Sequence, residues 1–127
     1  ATETLLHEGL FGTHPSCEAI VGEENGEVVT FALFFHNFST FLTKKGLYLE
    51  DLYVKQAHRG KNIGTRMLQR LAQLAVERGC GRFEWSVLDW NTPSIGFYRA
   101  LGAQAQDEWT TFRLTDGALR DLAAKAP

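Results

Sequence analysis

Between Gly46 and Leu88 the apolar residues change period twice, and this restricts the fold more than any other feature of the chain. Leu47, Leu49 and Leu52 lie in a stretch, Gly46 to Val54, that reads as a strand. Ile63, Met67, Leu71, Leu74 and Ala75 then recur at helical spacing, which predicts an amphipathic helix over Ile63 to Arg78. Gly79 and Gly81 close it as left-handed C-cap positions. Phe83, Trp85 and Val87 alternate with polar neighbours, which predicts a strand over Arg82 to Leu88. A strand, a helix and a strand in that order demand a parallel pair joined by a right-handed crossover.

The preceding segment demands the opposite arrangement. Asn25-Gly26 separates a strand over Cys17 to Glu23 from a Val- and Phe-rich strand over Glu27 to Phe38, and both turn residues tolerate positive φ. The expected fold is therefore α/β, with a mixed sheet that is antiparallel in its N-terminal half and ends in a parallel pair. Helices flank it at Glu3 to Phe11, at Thr92 onward with Ile95, Phe97, Tyr98 and Leu101 apolar, and at Asp116 to Ala126. A short strand is expected over Trp109 to Leu114, giving the order α, β, β, β, α, β, α, β, α.

A chain of 127 residues with a formal charge of −2 fits one domain, 1–127, and lacks the strongly basic footprint of a nucleic-acid binder. The apolar run Phe31 to Phe35 is far short of the roughly 20 residues of a membrane span. Cys17 and Cys80 form no CxxC and read as reduced, buried residues of a cytoplasmic protein. His7, His14, His36 and His58 form no HxH or HExxH, so no metal site is expected.

The chemistry concentrates where the first strand of the crossover unit meets its helix, in Tyr53-Val-Lys-Gln-Ala-His-Arg-Gly-Lys-Asn-Ile-Gly64. Unpaired amide N–H groups at a helix start bind anions, and glycine lets that backbone come close. Lys55, His58, Arg59, Lys61, Arg66 and Arg70 cluster there, although the chain as a whole is acidic. A local positive patch suits an anionic ligand. The loop has neither a Walker ending nor a GxGxxG pattern.

Arg59-Gly-Lys-Asn-Ile-Gly64 resembles the acetyl-CoA loop of GNAT-type N-acetyltransferases. Leu47-Tyr-Leu-Glu-Asp-Leu-Tyr-Val54, His58-Arg-Gly60, Asp89-Trp-Asn91 with Pro93-Ser-Ile95 and Phe97-Tyr98, and Leu101-Gly-Ala103 resemble its diamine acetyltransferase branch, the spermidine/spermine and thialysine enzymes. The likeness runs from about Glu3 to the C-terminus and leans towards the thialysine type. There are two departures. Asn62 stands where the family usually has its middle glycine, and asparagine is the next best residue at left-handed φ. The family's opening strand and helix are missing before Glu3: either they were removed, or the site is more open, or a partner chain fills the gap.

The resemblance implies acetyl-CoA as co-substrate, a small-molecule amine as acceptor, no metal and a homodimer. An alkylammonium of pKa near 10.4 is only roughly 0.04% deprotonated at pH 7, a deficit of about 4–5 kcal/mol that a base and desolvation offset in part. Glu50 is the candidate base, against the alternative of a solvated carboxylate. The resemblance makes Tyr98 the candidate general acid, a phenol that keeps its proton at pH 7, against the alternative of an aromatic on the packed face beside Phe97. Leu52, Tyr53 and Val54 would pair with the pantetheine arm through their backbone, and Arg59, Gly60, Lys61, Asn62, Ile63, Gly64 and Thr65 would hold the diphosphate. Asn91 and Ser94 either bind the carrier or cap the second helix. Asp51 takes a cationic-substrate or a structural role, and Trp90, Glu108 and Trp109, with Asp89 and Asp107, either offer carboxylates and indole faces to a cationic amine or are core tryptophans with solvated acids. The aromatics Phe31 to Phe38 and Phe41 suit either a core or a dimer face. Two other readings share these motifs: a non-catalytic acyl-CoA-binding module, and acetylation of a protein or peptide amine.

Overall fold

Asn25 and Gly26 reverse the chain with φ of 53° and 79°, values that suit the right-handed twist of the flanking strands. In the computed structural model, which describes residues 3–13, 15–40 and 42–127, they join β1 (Glu18–Glu24) to β2 (Glu27–Ser39). His14 and Phe41 lie outside the described residues. The chain divides into two units, Ala1–Ser86 and Val87–Pro127.

The first unit contains α1 (Glu3–Phe11), β1, β2, β3 (Lys44–Val54), a single 3₁₀ turn at Gln56–His58, α2 (Ile63–Glu77) and β4 (Arg82–Trp85). The sheet order is β1-β2-β3-β4. The first two pairings are antiparallel and β3 with β4 is parallel, the mixed arrangement expected from the hairpin and the crossover. The apolar stripe of α2 (Ile63, Met67, Leu68, Leu71 and Ala75) is buried where the helix packs on β2, β3 and β4. It forms one core with Val29, Ala32, Phe34, Leu47 and Leu49. Each of these side chains larger than alanine contributes about 1.5–3 kcal/mol by leaving water. A Schellman closure ends α2: Cys80 N–H donates to Ala75 O at 2.9 Å, with Gly79 at φ 73°. Gly81 plays a different part from the one expected. Its φ is not left-handed, and an added Cβ would lie 3.2 Å from Lys44, so it serves close approach.

The expected strand over Arg82 to Leu88 stops at Trp85. Its partner β3 carries a bulge directly after Leu49, so the ladder ends at Leu49↔Trp85, and the Ser86 hydroxyl instead meets the Tyr48 hydroxyl at 2.6 Å.

The second unit contains α3 (Thr92–Ala100) and α4 (Asp116–Ala124). The expected strand over Trp109 to Leu114 does not form. A strand exists by pairing, and these residues pair with none of the four strands. Trp109 and Phe112 are 77% and 92% exposed. Among the described residues no helix is long and apolar enough to cross a membrane.

One cluster ties β1 and β2 to the end of α2. Arg78 donates to both Glu18 carboxylate oxygens, at 2.8 and 3.0 Å, and to His36 Nε2 at 3.3 Å. An accepting Nε2 requires a neutral ring with its proton on Nδ1, which faces Glu18 at 3.7 Å. The Arg78 fork holds the Glu18 carboxyl below its ordinary 4.5 against a smaller effect of burial. Burial, then the Arg78 charge, holds His36 below its ordinary 6.5. Both groups thus bind protons more weakly folded than unfolded, and stability falls with acid, first below pH 6.5 and then below 4.5. Glu18→Gln is expected to be less stable than wild type at pH 7, by about 1 kcal/mol or less for so exposed a pair, and so to melt lower, with a shallower fall below pH 4.5. Scanning fluorimetry across that range checks this, and an equally steep fall in the variant would remove the pair as its source.

Candidate active site

β3 and β4 pair only from Gly46↔Arg82 to Leu49↔Trp85, whereas β3 continues to Val54. Beyond Leu49, among the described residues, no strand pairs with its edge on the β4 side. The cause is a single extra residue. Leu49 pairs with Phe34 and Asp51 with Leu33, so Glu50 is the bulge. The bulge resets the alternation: Leu52 and Val54 continue the side of Leu47 and Leu49, and Asp51 joins Tyr48 and Tyr53. A regular strand would have put Asp51 with the core leucines; the bulge moves it to the other face. Glu50 and Asp51 are both exposed.

Lys55 N–H donates to Val29 O on β2 at 2.8 Å. Alternation therefore directs the peptide groups of Leu52 and Val54 to the open side. Two side chains fix this end of the strand. Thr30 Oγ1 donates to Tyr53 O at 2.7 Å, and Arg59 Nε donates to Val54 O at 2.9 Å. The Arg59 guanidinium also lies 5.5 Å from the Tyr53 ring centre. Arg59 thus braces the strand with the side chain that the sequence assigned to an anion.

The loop then presents its backbone. Gly60 has φ 83° and Asn62 φ 63°, so asparagine fills the left-handed position in place of glycine. The first helical bond of α2 is Arg66 N–H to Asn62 O, 3.0 Å, and Asn62 makes no side-chain cap. Among the described residues the amides of Gly60, Lys61, Asn62, Ile63, Gly64 and Thr65 have no acceptor. A Cβ at Gly60 or Gly64 would meet nothing within 4 Å. A cradle of bare amides with two sides lacking Cβ fits a diphosphate. Lys61 and Arg66 have no ion-pair partner among the described residues. Lys55 and His58 are partnered instead: Lys55 Nζ lies 3.1 Å from Glu27, and His58 Nδ1 lies 3.2 Å from Glu24. Neither glutamate was identified from sequence. Their only signal is a carboxylate on each side of Asn25-Gly26.

The second unit holds the remaining candidates. Asn91 Oδ1 accepts from Ser94 N–H at 3.3 Å, the capping arrangement, and Pro93 occupies the first turn of α3. Tyr98 lies on α3, half-buried, with its ring centre 5.6 Å from that of Phe97. Trp90 is 74% exposed and Trp109 77%, so neither is a core tryptophan, and Glu108 is exposed beside the latter.

The sequence profile described as the acetyltransferase (GNAT) family matches residues 2–103. The chain belongs to this family. An L-ornithine N5-acetyltransferase of Arabidopsis thaliana is 42% identical over 110 residues, 85% of this chain and 48% of that protein. A thialysine N-epsilon-acetyltransferase of Mus musculus is 36% identical over 135 aligned residues, 98% of this chain and 79% of that protein. This GNAT chain thus spans about half of the first relative and about four fifths of the second. Among solved structures, an integron cassette protein from the mobile metagenome of V. cholerae superposes with a TM-score of 0.84 at 29% identity. It covers 99% of this chain and 80% of that one. The thialysine relatives and a spermidine/spermine N(1)-acetyltransferase-like protein 1 of Homo sapiens, 36% identical over 129 residues (94% of this chain and 18% of that protein), are consistent with the diamine branch that the sequence resembles.

Proposed function

We propose that residues 1–127 form one N-acetyltransferase domain that moves the acetyl group of acetyl-CoA to the primary amine of a small amine, polyamine or lysine-like amino acid. The observation that carries this reading is the array of unpaired amides from Gly60 to Thr65 beside the open edge of β3 at Leu52 to Val54. The relatives that acetylate ornithine and thialysine support an amine acceptor.

Acetyl-CoA, when bound, supplies the acetyl group as a thioester. In this reading the amides of Gly60 to Thr65, with Lys61 and Arg66, hold its diphosphate. The peptide group of Leu52 and the N–H of Val54, whose carbonyl is held by Arg59, receive the pantetheine arm as an added strand. A backbone N–H at Leu52 polarises the thioester carbonyl. Glu50 removes the ammonium proton, directly or through water, and the bulge is what sets its carboxylate out of the ladder. Tyr98 returns a proton to the departing thiolate. Asp51, Glu108, Trp90 and Trp109 receive the cation of the acceptor, and Asn91 positions the carrier through the α3 cap with Ser94. Neither cysteine has an activating partner at this loop, so transfer is direct, without a covalent enzyme intermediate. A cytoplasmic homodimer completes the proposal; Phe38, 60% exposed at the end of β2, is the aromatic that an interface would cover.

The test is calorimetry with acetyl-CoA followed by thiol release with a panel of amines. Binding with turnover on ornithine, thialysine or a polyamine is expected. Binding without turnover on any amine would favour a non-catalytic module, and turnover only on peptides would favour protein acetylation.

A further inference from the structure

His58 is held between two carboxylates of the β1–β2 hairpin. Its Nδ1 lies 3.2 Å from Glu24, its Nε2 3.9 Å from Glu27, and its side chain is only 19% exposed. Glu24 and Glu27 are cross-strand partners on either side of Asn25-Gly26. Glu27 also accepts from Lys55 Nζ at 3.1 Å. Backbone bonds complete the frame: His58 N–H donates to Lys55 O at 2.9 Å, and Arg59 N–H to Gln56 O at 3.3 Å. The hairpin tip therefore grips both ends of the 3₁₀ turn, and the bare amides begin at Gly60, two residues beyond His58.

We propose that Glu24 and Glu27 are positioning residues for the coenzyme loop, acting through His58 and Lys55 to fix the turn from which the amides of Gly60 to Thr65 project. The inference rests on the coenzyme reading above. Two physical effects predict opposite results, which makes it testable. Removing a carboxylate near a diphosphate site raises the local potential and by itself tightens anion binding. Loosening an amide array weakens it, because hydrogen-bond geometry to an anion is lost. The positioning effect is expected to win, since Glu27 is already paired with the Lys55 ammonium and Glu24 bears on the loop through the ring it holds.

The experiment is a double-mutant cycle on the full chain with Glu24→Gln, His58→Gln and the pair. CoA affinity is read by calorimetry and turnover at saturating acetyl-CoA. Each single variant is expected to weaken CoA about five- to tenfold, with kcat and the amine KM within about twofold of wild type. The double variant should be no weaker than the weaker single one. Glu27→Gln with Lys55→Gln repeats the cycle through exposed residues, in case Glu24→Gln fails to fold. Unchanged or tighter CoA binding in the folded variants, or losses that multiply in the double variants, would overturn the proposal. If wild type itself fails to bind CoA, the coenzyme reading falls first, and the two failures are thus told apart.

Discussion

Gly64→Asp is expected to leave the protein as stable as wild type or slightly more so while weakening CoA about a hundredfold. The two effects have opposite signs because they act on the same dipole. Gly64 lies in the first turn of α2, outside the left-handed region, and a Cβ there meets nothing within 4 Å, so an aspartate fits without strain. That turn contains no acidic residue. A carboxylate at a helix N-terminus contributes about 0.3–1 kcal/mol of stability. The same charge would stand where the diphosphate binds. At about 4 Å and an effective dielectric near 20, two unit charges repel by about 4 kcal/mol, and screening at an open surface reduces this towards the 2.7 kcal/mol of a hundredfold loss. Gly64→Asn, nearly the same shape without the charge, should recover most of the affinity. Calorimetry and melting temperature on the three proteins give the result. An aspartate variant that binds CoA as wild type does would remove the α2 N-terminus as the diphosphate site. Gly60→Ala is a contrasting case: at φ 83° a side chain costs roughly 1–2 kcal/mol of stability before any ligand is considered.

What the sequence disclosed here was whatever depends on near neighbours. Asn25-Gly26 is a local turn signal, and β1 and β2 pair as it requires. The helical spacing from Ile63 to Ala75 reappears as the buried stripe of α2. The shift from Leu47 and Leu49 to Leu52 and Val54 already contains the bulge, because an apolar step of three cannot belong to a regular strand. Its position stays open in the sequence because Glu50 and Asp51 are both polar and either could be the extra residue until the register with Leu33 and Phe34 is known. Trp109 to Leu114 shows the converse error. Its apolar content mimics a strand, yet ladder formation depends on a partner that no local pattern reveals. Arg59 and His58 were legible as basic residues and illegible as braces. Their acceptors, Val54 O and Glu24, are fixed by the strand end and by the hairpin, 34 positions away in the second case.

Tyr98→Phe is expected to cut turnover at least about tenfold, a loss of about 1.4 kcal/mol or more in transition-state stabilisation, with CoA affinity unchanged. The substitution keeps the ring that lies beside Phe97 and removes only the hydroxyl. The helix that holds it is capped by Asn91 at one end and closed by Gly102 at φ 96° at the other. The role can be separated from simple positioning by changing the leaving thiol. A more acidic thiol departs with less need of a proton, so an aryl thioester of acetate should narrow the gap between wild type and Tyr98→Phe. A proton donor predicts that narrowing; a residue that only positions the acyl group predicts an equal loss on both donors. Wild-type turnover in Tyr98→Phe on acetyl-CoA would exclude either role.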